Sequence, residues 1–109
     1  MKISIKKQLF VILLLLSFSP VFAVRILLPM DEEQKNHLKA YGLSYWVLKK
    51  DLEVNWLLNY RGGSFMINYN EQIERECKVR GISYEIISEG QVSEILMEIA
   101  RPEVNMEMV

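Results

Sequence analysis

Arg61, Gly62, Gly63 and Ser64 are the residues in this chain whose types and spacing most readily suggest chemistry. A guanidinium pairs with a carboxylate or phosphate through parallel hydrogen bonds. Adjacent glycines leave backbone amides open to an anion. The stretch NYRGGSF, residues 59–65, therefore has two readings: a cradle for a small anionic ligand, or a turn that needs positive φ angles. It is not a G-x-G-x-x-G fingerprint, and no lysine completes a phosphate-binding loop.

The other reactive residue types are sparse. His37 is the single histidine and reads as an exposed helix residue rather than a base or metal ligand. Cys77 is the single cysteine and falls on an inward helical stripe, as a buried structural thiol does. Trp46, Trp56, Tyr45 and Tyr60 read as core or helix–sheet contacts. Glu71, Glu74 and Glu76 alternate with Arg75, Lys78 and Arg80, the pattern of a solvated helix face with i, i+4 pairs. No metal-ligand spacing, nucleophile elbow or internal repeat is present, and no cofactor is expected.

The elements that would position these residues follow from periodicity. VRILL (24–28) is a short apolar run ended by Pro29, a buried strand. Asp31 with Gln34 three residues on, and Glu32 and Glu33 beside it, predicts a helix start. That helix runs to about Lys50 and buries the stripe Leu38, Tyr41, Tyr45, Leu48. Gly42 lies within the stripe and would allow close approach to a sheet. Residues 53–60 read as a second strand, ended by the glycine loop. A helix follows with Asn70 as cap, Ile73 and Cys77 inward and Gly81 as terminator. Residues 82–88 read as a third strand. Ser88 and Gln91 then cap a helix whose apolar face is Val92, Ile95, Leu96 and Ile99, stopped by Pro102. The order βαβαβα predicts an α/β fold: three layers around a mostly parallel, Rossmann-like sheet. Val104, Met106 and Met108 alternate like the start of another strand, so residues 24–109 are expected to be the N-terminal part of a longer chain.

Half of the 109 residues are hydrophobic and a quarter charged, which fits a globular domain rather than a disordered one. Some of that apolar content sits in residues 1–23, which read as a secretory signal. Lys2, Lys6 and Lys7 precede the apolar run 9–16, and Val21 and Ala23 stand at the positions a signal peptidase reads. An uncleaved anchor is the alternative. Cleavage after Ala23 removes three lysines and no acids, leaving 10 basic and 14 acidic residues. A mature chain of net charge −4 without a basic stripe is not expected to bind nucleic acid, nor to keep a membrane span. The expected location is periplasmic or extracellular.

From ILLPMDEEQKNHLKAYG through WLLNYRGGSF to PEVNM, the chain resembles the N-terminal part of exported bacterial proteins often labelled asparagine synthetase B. The resemblance covers most of residues 26–106, with LNYRGGSF its most distinctive part. It implies an α/β region like that of glutamine-amidotransferase folds, with working residues downstream. It carries over no catalytic residue. A glutaminase of that kind needs a cysteine after the initiator methionine, where this chain has Lys2. Its ATP site needs Ser-Gly-Gly followed by aspartate, and this chain has Arg61-Gly62-Gly63-Ser64-Phe65. Two functions are thus expected: a hydrolase or amidotransferase-like protein that holds an anionic group at Arg61–Ser64, or a non-catalytic envelope domain that binds a ligand or partner.

Overall fold

The computed structural model describes residues 24–101. The expected signal segment, Pro102 and the Val104–Met106–Met108 alternation lie outside the described residues. Strand β1 (Val24–Leu28) leads through a loop to helix α1 (His37–Lys49). Strands β2 (Val54–Leu57) and β3 (Ser64–Asn68) follow, then helix α2 (Glu71–Arg80), strand β4 (Glu85–Ser88) and helix α3 (Glu89–Ile99). The sheet order is β2-β3-β1-β4, and every neighbouring pair is antiparallel.

This corrects the expected mostly parallel, Rossmann-like or glutamine-amidotransferase-like sheet. The physical reason is one strand. SFMIN, residues 64–68, pairs with both β2 and β1, so NYRGGSF turns a hairpin instead of feeding a helix. β1 and β2 do run parallel, but β3 lies between them, and β1 in turn separates β3 from β4. Two interleaved βαβ units of this kind make the split βαβ, or ferredoxin-like, arrangement.

The sheet is covered on both faces. Ile26, Leu28, Phe65 and Ile67 point to one side and pack with Ala40, Leu43 and Val47 of α1 and Ile73 and Cys77 of α2. Leu27, Leu57, Met66 and Ile87 point to the other and pack with Val92 and Ile95 of α3. The continuous apolar run of β1 thus reflects a central strand buried on both faces.

Local chemistry sets most helix ends. The Asn70 side chain accepts from Gln72 N and Ile73 N, and Gly81 closes α2 at φ 68°. Ser88 and Gln91 form the expected capping box on α3. The start of α1 differs from expectation. Its cap is Asn36, which accepts from Lys39 N at 3.1 Å, and Asp31 stays in the preceding loop. Gln34 is buried there. Its Nε2 donates to the carbonyls of Pro29 and Ser83, both at 2.9 Å, and its Oε1 accepts from Ser83 N at 2.7 Å. The side chain that would have completed a capping box instead joins the β1–α1 loop to the α2–β4 loop. Glu74 makes a second cross-link, accepting from Tyr69 Oη at 2.8 Å and Tyr84 Oη at 2.9 Å.

The buried stripe of α1 is also not the expected one. Ala40, Leu43, Ser44 and Val47 face the sheet, whereas Leu38, Tyr41, Tyr45 and Leu48 are exposed. Gly42 lies on the outer side, and a Cβ there would meet nothing within 4 Å. It therefore does not serve a close helix–sheet approach.

Candidate functional site

The hairpin loop between β2 and β3 is built from backbone. Gly63 N and Ser64 N both donate to Tyr60 O, at 3.1 and 3.0 Å. Arg61, Gly62 and Gly63 all have positive φ, at 45°, 79° and 88°. Such a run suits glycine and costs a side-chain-bearing residue roughly 1–2 kcal/mol. Arg61 is held there by several contacts. Its carbonyl accepts from Met30 N and from Ser64 Oγ, each at 3.1 Å. Its Nε donates to Asp31 Oδ2 at 2.7 Å, and its Nη1 donates to Glu85 Oε2.

Arg61 thus ties three loops or strands together: the hairpin, the β1–α1 loop and the start of β4. The hydrogen bond from Arg61 holds the Asp31 carboxyl below its usual range. The Arg61 guanidinium is pushed above its ordinary value, first by Asp31 and then by Glu85. A cleft of about 530 Å³ opens beside it, lined by Pro29, Glu33, Lys35, Ser83, Tyr84 and Glu85. The structure therefore brings Arg61 and Ser64 together with the two glycines, but it matches the arginine with two carboxylates of its own chain. An anion entering the cleft has to compete with both.

The remaining candidates disperse. His37 opens α1, exposed, with Nε2 within 3.1 Å of Met30 O and 3.0 Å of Asp31 O. Carbonyls only accept, so that nitrogen carries the proton and donates. Cys77 is fully buried on the other helix, and burial first, with Glu74 second, pushes its thiol up to about 11. A thiol of that kind is a poor nucleophile at neutral pH. Among the described residues no three His, Cys, Asp or Glu side chains gather to hold a metal.

A second surface was not anticipated as a site. The outer side of α1 presents Leu38, 83% exposed, and Tyr45, 61% exposed, together with Tyr41 and Leu48. It continues onto the edge strand β2. The Tyr41 ring sits edge-on to Phe65 at 5.6 Å, and Trp56 stacks on Phe65 at 6.1 Å. Trp56 is anchored by its Nε1 donating to Gly63 O at 3.1 Å, yet it is 57% exposed. Trp46, by contrast, packs against the core, with Lys50 and Arg80 over its ring at 4.4 and 5.4 Å. The signal for this surface was in the sequence: α1 carries two apolar stripes, and a helix can turn only one of them to a sheet.

α1 itself carries only basic charge, while acids stand just before and after it at Asp31, Glu32, Glu33, Asp51 and Glu53. Lys39 and Lys49 are its exposed charges, and no acid occurs between Gln34 and Asp51. Lys49 lies over the Tyr45 ring at 5.0 Å. No helix among the described residues is long and apolar enough to cross a membrane. Compared with known proteins, the chain matches no family model, no curated sequence and no solved structure.

Proposed function

We propose that this chain is a non-catalytic binding domain that docks a protein segment on the outer face of α1 and Trp56. The observation that carries this reading is the continuity of exposed Leu38, Tyr41, Tyr45 and Leu48 with Trp56, through the Tyr41–Phe65–Trp56 row of rings. Exposed aromatic anchors of this type dominate binding energy at interfaces. Lys39 and Lys49 on the same helix suit an amphipathic helix with acidic residues beside its apolar stripe as the occupant. A second α1 in that place would set lysine against lysine.

The test is a titration of the full chain with a synthetic acidic amphipathic helix, followed by tryptophan fluorescence. Its lysine-substituted counterpart and vesicles of phosphatidylglycerol are the comparisons. Binding of the acidic peptide alone is expected. Binding to the vesicles but to neither peptide would contradict a protein partner.

The cleft supports a second reading, in which Arg61 holds a small anionic ligand with Lys35, while the Gly63 and Ser64 amides and the Ser64 hydroxyl stay committed to the hairpin. Lys35 and Arg61 both line that 530 Å³ space. Inorganic phosphate binding that is lost in Arg61→Ala while the fold survives would support it. A hydrolase or amidotransferase reading depends on residues beyond those described, and nothing within 24–101 favours it over binding.

A further inference from the structure

We infer that the cleft beside Arg61 takes a free α-amino acid, with its carboxylate on Arg61 and Lys35 and its ammonium on Glu85 and Glu33. This rests on the reading of that cleft as a small-ligand site and names the class of ligand.

Charge is the first ground for it. The cleft is lined by residues of both signs, Glu33 and Glu85 against Lys35 and Arg61. Glu33 and Lys35 are exposed and make no ion pair among the described residues. Arg61 and Glu85 are paired with each other through Nη1 and Oε2. A lone anion that approaches this pair gains the guanidinium but meets the carboxylate beside it. A ligand that carries both charges close together escapes that competition, because it lies head to tail against the protein's own pair. An α-amino acid has this form: its carboxylate and its ammonium share one carbon.

Hydrogen-bonding capacity agrees with charge. The pairs with Asp31 and Glu85 engage Nε and Nη1 of Arg61, which leaves Nη2 to donate to a ligand carboxylate. Glu85 accepts through Oε2, which leaves Oε1 to accept from an ammonium. The Ser83 hydroxyl accepts from Lys35 N at 3.1 Å and keeps its own proton to donate. The walls are already in place. Gln34, 5% exposed, fastens Pro29 to Ser83, and both of these line the cleft. A preformed site binds without the cost of ordering its loops. Arg61 is itself a non-glycine residue at φ 45°, and backbone strain of that kind gathers at ligand sites. The volume, about 530 Å³, suits a small molecule and admits a large side chain next to Tyr84.

The experiment is calorimetric titration of the full chain at neutral pH with L-phenylalanine and two analogues. Hydrocinnamate lacks the ammonium, and phenethylamine lacks the carboxylate. Phenylalanine should bind at least about tenfold more tightly than either, since each analogue forfeits a charge-assisted contact. Glu85→Gln should weaken phenylalanine and strengthen hydrocinnamate, because the same carboxylate attracts an ammonium and repels an anion. A purely structural Glu85 would move both ligands in the same direction. Lys35→Gln changes an exposed side chain, so its fold should survive, as circular dichroism would verify. It should weaken phenylalanine and hydrocinnamate alike, and with the ligand comparison it decides the matter should Glu85→Gln fail to fold. Hydrocinnamate or inorganic phosphate bound as tightly as phenylalanine would overturn the amino acid and leave the anion reading standing. Binding of phenethylamine alone, or of none of these probes, would overturn both.

Discussion

Arg61 and Asp31, thirty residues apart, join the hairpin to the β1–α1 loop through Nε and Oδ2 at 2.7 Å. One residue away, Met30 N donates to Arg61 O at 3.1 Å, so side chain and backbone make the same connection. Glu85 adds the end strand β4 to it. The arginine in NYRGGSF is thereby given a structural duty, whatever else it binds.

That relationship has an acid signature. Arg61 lowers the Asp31 pKa, so the ion pair contributes stability above the carboxyl's unfolded value, about 3.9. The contribution is lost as pH falls through the lower folded value. Asp31→Asn should therefore flatten the acid limb of a stability–pH curve below about pH 4 and leave its neutral shape unchanged. Glu74, lowered by Tyr69 and then Tyr84, should keep some acid dependence in that variant. An acid limb identical to the parent's would remove the pair from the account.

Two glycines should respond in opposite directions. A Cβ on Gly62 would stand 2.6 Å from the Met30 carbonyl oxygen, at φ 79°. Gly62→Ala should cost about 2–3 kcal/mol, from positive φ together with a weakened Met30–Arg61 hydrogen bond. Gly42 is helical, outward and unobstructed. Gly42→Ala should add roughly 0.5–1 kcal/mol. Denaturant midpoints of the two variants would check both signs, and a destabilised Gly42→Ala would mean that something packs on that face.

Cys77 predicts an alkaline limb. Its folded pKa, about 11, lies above the ordinary thiol value. The protonated folded state is therefore favoured fully below the unfolded pKa, and stability falls as pH rises from there towards 11. The slope approaches about 1.4 kcal/mol per pH unit when the thiol is ionised only in the unfolded chain. Tyr84, pushed up to about 12 by burial and then by Glu74, extends the loss at higher pH. Cys77→Ala should lower stability at pH 7 by leaving a cavity, yet show a shallower decline between pH 9 and 11. An unchanged alkaline slope would contradict the buried thiol.

Some of this was legible in the residues. Both ends of α2 and the start of α3 were, because Asn70, Gly81, Ser88 and Gln91 act on backbone only a few positions away. β1 was, because VRILL is apolar beyond what one face needs. β3 was not recognised: SFMIN is five residues long, and its strand character shows when it is set against VNWL across the glycines as a hairpin. Missing it changed an antiparallel order into an apparent parallel one. The faces of α1 were ambiguous for a different reason, since two apolar stripes compete and only tertiary packing chooses. The candidate site at Arg61–Ser64 was visible as a motif. Its partners Asp31 and Glu85 were not, because they lie 30 and 24 residues away and meet it only through the sheet.

The central claim is that the outer face of α1 binds rather than folds. The most direct measurement pairs Tyr45→Ser and Leu48→Ser in one variant of the full chain, with unfolding and acidic-peptide affinity read on the same sample. Both side chains are exposed, so stability should change by no more than about 0.5 kcal/mol per site. Affinity should fall at least about tenfold, equivalent to about 1.4 kcal/mol. Stability lowered by about 2–5 kcal/mol, as for buried leucine, together with unchanged affinity, would place those residues in the core and contradict the account.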